Sequence, residues 1–102
     1  MKSIELLSEM KDFIDGNTTI EQFSFAFEES LARASDDLKS ENEKLFHLLN
    51  EDMPELCANY EPDLEQRKQY PDIYYDEVTV RGRTKEIYIQ ALEMLVLKQE
   101  AV

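Results

Sequence analysis

Residues 18–34 read TTIEQFSFAFEESLARA, and this stretch decides the fold class. Its large apolar residues recur at spacings of three and four, the period of one face of an α-helix. Thr18 and Thr19 precede the pattern as candidate N-caps, and Glu21 and Gln22 occupy the reciprocal positions of a capping box. The spacing predicts a helix that ends near Ala34 and buries Ile20, Phe23, Phe27 and Leu31.

The segment before this helix carries a second apolar stripe. From about Ser3 to Asp15 the apolar residues again recur at helical spacing, and Gly16 with Asn17 follows as a left-handed helix stop. The pattern therefore predicts a first helix. Its expected core stripe is Ile4, Leu7, Met10 and Ile14, flanked by Leu6 and Phe13.

The segment after it predicts a polar connection and then a third helix. Residues 36–40 form the connection, and Ser40 with Glu43 makes another capping box. Pro54 removes one backbone donor and clashes with the preceding turn, so we expect a kink or restart near residues 51–53. The apolar residues of this helix are Leu45, Leu48, Leu49, Met53, Leu56 and Tyr60.

The last segment permits two interpretations at its start. Asp76 is a possible cap for one long helix, whereas residues 77–80 and 87–89 alternate around 81–83 in a pattern that also suits a hairpin. We favour the helix, with a possible restart at Thr84. Two adjacent helical rows support a helix to about Lys98: Ile87, Ala91, Leu95 and Tyr88, Leu92, Val96.

These segments predict an all-α fold. The chain has 102 residues with only two glycines and three prolines, which favours long regular helices. We expect a single domain over residues 1–102, arranged as an antiparallel four-helix bundle. Periodicity fails over residues 61–75, so a long ordered connection should join helices 3 and 4.

Acidic residues crowd the stretch from Glu51 to Glu77. It holds nine acids against two basic residues, together with four of the five tyrosines. Such a surface suits a positively charged cleft, and tyrosine is enriched at interfaces because it adds rigid contact area with a hydroxyl. The acids are Glu51, Asp52, Glu55, Glu61, Asp63, Glu65, Asp72, Asp76 and Glu77, and the tyrosines are Tyr60, Tyr70, Tyr74 and Tyr75.

The overall charge indicates the kind of partner. The net charge is −12, so direct binding to nucleic acid or to an anionic membrane is disfavoured and a basic protein is attracted. The alternative is that acidity only maintains solubility.

The single Cys57 excludes an internal disulfide and is expected to be a buried small hydrophobe. With no signal-peptide pattern, and no apolar run long enough to span a bilayer, we expect a soluble cytoplasmic protein.

Catalysis has little support in the sequence. His47 is the only histidine, and no glycine-rich phosphate loop, nucleophile elbow or calcium-loop spacing is present. We therefore predict no metal site, no cofactor and no enzymatic activity. A small enzyme that uses clustered carboxylates remains a rival class.

The Tyr60-Glu61-Pro62-Asp63 segment is the most specific binding candidate. Proline restricts itself and Glu61 to extended geometry, so the two carboxylates lose less freedom on meeting lysines or arginines. The alternative is that Glu61 and Asp63 simply terminate the third helix and face water.

The Tyr60-Glu61-Pro62-Asp63 segment resembles a turn of the colicin D-type immunity family, which includes related contact-dependent growth inhibition immunity proteins. Two further segments are also similar to that family: Tyr75-Asp76, before the final helix, and residues 20–24, in the second helix. The resemblance spans nearly the whole chain through short motifs. It implies a four-helix bundle that binds a nuclease toxin domain cleaving transfer RNA at the anticodon loop. In that family, carboxylates at the matching turn occupy the toxin's basic active site in place of RNA phosphates.

Two departures separate this chain from the family pattern. Ala58 stands where the family places a further acid, so that contact is absent or is supplied by a neighbour such as Glu55. The connection after Asp63 is also longer, which implies a different partner specificity.

The predicted function is thus inhibition of a basic tRNA-cleaving toxin domain by phosphate mimicry. Another acidic protein-binding module, or a nucleic-acid mimic directed at a non-nuclease partner, is the alternative. The oligomeric state is left open. The predicted toxin-binding residues are Glu61, Asp63, Tyr60, Glu55, Glu65, Tyr70, Asp72, Tyr74 and Tyr75.

Overall fold

The computed structural model describes the backbone of residues 1–100 and the side chains of residues 1–95. Over this range the chain is all-α, which confirms the predicted fold class, and it contains no strand. The helix predicted as the fourth is α5, because a short extra helix lies in the predicted connection. The helices are α1 (Lys2–Ile14), α2 (Ile20–Glu41), α3 (Glu43–Ala58), α4 (Leu64–Gln69) and α5 (Glu77–Glu100).

The junction between α1 and α2 forms as predicted. Gly16 has a φ of 83°, and the amides of Gly16 and Asn17 donate to the carbonyls of Phe13 and Asp12. This is the Schellman arrangement, in which a left-handed glycine ends the helix. Thr19 and Gln22 then form the capping box that opens α2.

The buried stripe of α1 is rotated from the predicted one. Leu7 and Met10 are buried as expected, but Ile4 is exposed and Ile14 only half-buried. Ser3 lies on the buried side instead, where its hydroxyl donates to Oε1 of Glu41 at 3.2 Å. A buried serine is not visible to a search for apolar periodicity. The buried residues of α1 are Ser3, Leu6, Leu7, Met10 and Phe13.

The predicted polar connection over residues 36–40 is wrong, because α2 continues to Glu41. Leu38 is fully buried and extends the row of Leu31 and Ala34 at spacings of three and four. The prediction that Ser40 caps α3 is also wrong. Asn42 does so, since its side chain accepts from the amide of Leu45 at 3.1 Å.

The helix α3 runs through Pro54 without restarting, so of the two outcomes predicted near residues 51–53 the restart is wrong and the kink stays a prediction. Pro54 itself is exposed, while Met53, Leu56 and Cys57 around it are buried. Tertiary packing of these neighbours offsets the lost backbone hydrogen bond, because context overrides helix propensity.

The final segment is the favoured helix rather than a hairpin, and it is continuous through Thr84. The row that fixes this choice consists of Val80, Thr84, Ile87 and Ala91, all buried. The hydroxyl of Thr84 is satisfied because it donates to the Val80 carbonyl at 2.8 Å. Leu92, a member of the second predicted row, is exposed, and the side chain of Val96 lies outside the described residues.

The long helices pack in neighbouring pairs. Helix α1 contacts α2 and α5, and α3 also contacts α2 and α5. Phe13 and Phe23 stack with ring centroids 4.4 Å apart, and Arg81 of α5 lies 4.3 Å over the Phe13 ring. None of the described helices combines the length and apolarity that crossing a membrane requires.

Candidate protein-binding site

The connection between α3 and α5 is closed at its base by backbone hydrogen bonds. Tyr60 and Tyr75 form an isolated parallel bridge. The amide of Tyr75 donates to the Asn59 carbonyl at 2.8 Å, and the amide of Glu61 donates to the Tyr75 carbonyl at 3.0 Å. The two ends of the acidic connection are therefore held side by side.

The carboxylates of Glu61 and Asp63 both take part in the turn that follows the bridge. An oxygen of Glu61 accepts from the Asp63 amide at 3.1 Å, and an oxygen of Asp63 accepts from the Glu65 amide at 2.9 Å. Asp63 is thus the N-cap of α4. A carboxylate has two oxygens and about four acceptor positions, so these bonds leave capacity for an external cation.

The alternative that Glu61 and Asp63 end the third helix does not match this geometry. Helix α3 ends at Ala58 with Asn59 as its C-cap, before either carboxylate. Both residues instead organise the start of α4. Asp63 is exposed and Glu61 is half-buried.

Helix α4 was missed by the apolar pattern. It has six residues and buries none of them, so it has no periodic apolar face to detect. The available signals were its acidic first turn and basic last turn, which complement the helix dipole. Arg67 fixes the helix to the turn, because its guanidinium donates to the Glu61 carbonyl at 2.7 Å.

The tyrosines divide into two groups. Tyr60 and Tyr75 are half-buried against the core, and the guanidinium of Arg83 lies 4.7 Å over the Tyr75 ring. Tyr70 is exposed and meets half-buried Tyr74 edge to face, with ring centroids 5.9 Å apart. The first pair packs at the base of the connection, whereas the ring of Tyr70 is exposed.

The environment of Tyr60 raises the pKa of its hydroxyl. Burial raises the pKa of this phenol, and the nearby negative charges of Glu21 and Glu77 raise it further. Arg67 acts in the opposite direction. The Tyr60 hydroxyl is a hydrogen-bond donor at neutral pH, as any tyrosine is, and the raised pKa extends this further into the alkaline range.

A groove beside the connection is lined by two of the predicted binding residues. Glu55 of α3 and Tyr75 line a cavity of about 350 Å³ with Asp52, Arg83 and Glu86. The position of Arg83 and Glu86 was not predicted, because only the packing of α5 on α3 brings them to these residues. The groove mixes three carboxylates with one guanidinium.

The remaining predicted residues lie along the connection. Glu65 is exposed in the first turn of α4, and Asp72 is exposed in the turn that follows it. Asp76 caps α5 by accepting from the Thr79 amide at 2.8 Å. Hydrogen bonds from the side chain and backbone of Thr79 lower the pKa of Asp76 below its ordinary value.

Among the described side chains, no group of three or more His, Cys, Asp and Glu residues is arranged to hold a metal ion. His47 is exposed on α3, with Glu43 and Glu51 at 3.6 Å and 4.0 Å along the same helix. A helix-surface position of this kind is typical of a solvated side chain.

Cys57 is buried, and burial raises the pKa of its thiol to about 11. The unfolded thiol loses its proton first, near its ordinary pKa of about 9, so the free energy of unfolding should fall as pH rises from there to about 11. Urea unfolding at both ends of this range measures the effect. We expect Cys57→Ala to show a weaker pH dependence than the parent, and an equal dependence would contradict the assignment.

No protein-family model matches this chain, and searches of curated proteins and of solved structures also give no match. The likeness to colicin D-type immunity proteins therefore depends on the short motifs at residues 20–24, 60–63 and 75–76.

Proposed function

We propose that this chain is an immunity protein that neutralises a cognate, basic, tRNA-cleaving toxin domain. Glu61 and Asp63 enter the active site of the toxin in place of RNA phosphates. The observation that carries this proposal is the turn itself, held by the Tyr60–Tyr75 bridge and by its own capping hydrogen bonds. Carboxylates held in advance bind cations at a lower entropic cost.

The scaffold in this proposal is an antiparallel four-helix bundle made of α1, α2, α3 and α5. The pairing of α1 and α3 each with α2 and α5 supports a closed ring of helices. The tight junctions after α1 and α2 support antiparallel neighbours, as in other helical bundles. The connection that carries α4 then lies at one end of the bundle.

The charge of the chain supports the choice of partner. At −12 the protein steers a basic domain toward it and repels nucleic acid. Exposed Glu65 and Asp72 extend the acidic surface beyond the turn, and Glu55 contributes from the neighbouring groove. Inhibition of this kind is stoichiometric and needs no catalytic group or cofactor, and it takes place in the cytoplasm, where the tRNA is.

Co-expression tests the proposal directly. The toxin domain is taken from the gene next to the one that encodes this chain. We expect the chain to restore growth, to co-purify with the domain in a one-to-one complex and to block tRNA cleavage by the purified domain. Folded protein that neither rescues growth nor binds would refute the proposal.

A second candidate is an acidic module for a non-nuclease partner. The observation that favours it is that both turn carboxylates already serve their own backbone, so their primary role can be structural. Tight binding to a partner without nuclease activity, combined with no rescue from the toxin, would select this function.

A further inference from the structure

The connection and the first turn of α5 expose large apolar side chains to water. Leu64 is 53% exposed, Ile73 is 52% exposed and Val78, in the first turn of α5, is 80% exposed. Helix α4 buries none of its residues, although Arg67 and the Asp63 cap hold it in place. These exposed apolar groups stand among the acidic residues of the candidate site, on a segment whose backbone is held by hydrogen bonds.

The charges around these apolar side chains indicate which kind of partner can bind over them. Acidic residues alternate with them along the chain, from Asp63 and Glu65 to Asp76 and Glu77. A second copy of the chain would bring two surfaces of net charge −12 together, and an anionic membrane or nucleic acid is repelled in the same way. A basic protein surface has the complementary charge.

We propose that Leu64, Ile73 and Val78 are apolar anchors of a docking surface for a basic protein. The partner surface has apolar recesses beside its cationic groups. This inference rests on the proposed function for the identity of the partner, the toxin domain. It adds three anchor residues to a site for which the sequence indicated only acids and tyrosines.

The anchors and the acids contribute differently to the complex. Exposed charge contacts are screened as ionic strength rises, since the Debye length is about 3 Å at 1 M salt. Burial of apolar side chains is not screened. Loss of a buried aliphatic side chain from the interface should weaken binding by roughly tenfold to a hundredfold. The complex should therefore persist in high salt through its apolar contacts.

Calorimetric titration tests the anchors, with a catalytically inactive form of the toxin domain as the probe. The variants are Leu64→Ser, Ile73→Ser and Val78→Ser. Ile4→Ser is the matched control, because Ile4 is 58% exposed on α1 and its neighbour Ser3 donates a hydrogen bond to Glu41, which lies beside the start of α3 and so a helix length from the connection. We expect each anchor variant to bind at least about tenfold more weakly and the control to bind normally. All four should keep the melting temperature of the parent, since none removes a buried side chain.

Each outcome has a distinct meaning. If the parent chain binds and protects but the anchor variants match the Ile4→Ser control, the anchor assignment is wrong and the proposed function stands. If the parent neither binds nor protects, the proposed function fails and the toxin-docking surface fails with it. Sedimentation that shows a dimer of the parent, lost in the Ile73→Ser variant, would assign the surface to a second copy and overturn the proposal.

Discussion

Cells that carry the Glu61→Lys, Asp63→Lys double variant should lose protection against the toxin domain. Removing one partner of a desolvated charge pair costs about 2–5 kcal/mol, and a reversed charge adds repulsion from the cationic cleft. Two such changes should weaken the complex by at least about a thousandfold. Growth under co-expression and the affinity of the purified proteins measure the loss.

The fold should survive this change with only local damage. Asp63→Lys removes the N-cap of α4, which costs about 1 kcal/mol in a typical helix. Because α4 buries no side chain, little of this cost should reach the core. A thermal melt of the variant checks that lost protection is not lost folding.

The double variant Glu61→Gln, Asp63→Asn is the matched control. The new glutamine and asparagine side chains each keep an oxygen that can accept from the backbone N–H groups of residues 63 and 65. Asparagine also caps a helix about as well as aspartate. The turn is preserved while two negative charges are removed. We expect weaker binding than in the parent but stronger than in the lysine variant. Full protection by a well-folded lysine variant would show that these carboxylates do not contact the toxin.

Phe27→Ala should give the largest loss of stability among single core substitutions in α2. The ring is fully buried and stacks on Phe23 with centroids 5.1 Å apart. Removing such a side chain costs about 3–5 kcal/mol. Because small domains are stable by only about 5–15 kcal/mol, much of the folded population should be lost on mild heating. Denaturant unfolding followed by circular dichroism measures the change.

Phe25→Ala provides the comparison within the same helix. It removes the same side chain two residues away, but that side chain is exposed. Substitutions of this kind usually change stability by less than about 0.5 kcal/mol. Equal losses of stability from Phe27→Ala and Phe25→Ala would mean that α2 does not bury the face that carries Phe27.

The helices that the sequence predicted correctly are those with a buried apolar row. Phe23, Phe27 and Leu31 mark α2 because burial of one face imposes the helical period on the chain. The end of α2 was missed because Leu38 is a single apolar residue among charges, although it is fully buried. Ends and short helices depend on individual contacts that periodicity does not record.

The sequence predicted only those parts of the candidate site that depend on neighbouring residues. The Glu61-Pro62-Asp63 turn is local in sequence, so its restricted backbone was evident. The contacts of Arg67 with the Glu61 carbonyl and of Arg83 with the Tyr75 ring join residues six and eight positions apart across turns. Only the folded chain brings such pairs together, and they determine how firmly the acidic surface is held.

The bridge between Tyr60 and Tyr75 joins the two ends of the connection next to the end of α3 and the start of α5. Since the bridge fixes both ends, residues between them can be replaced or lengthened without moving α3 or α5. Doubling the length of a flexible loop costs only about 0.6 kcal/mol in closure entropy. We therefore expect insertions between residues 61 and 74 to destabilise the protein less than insertions inside α3 or α5.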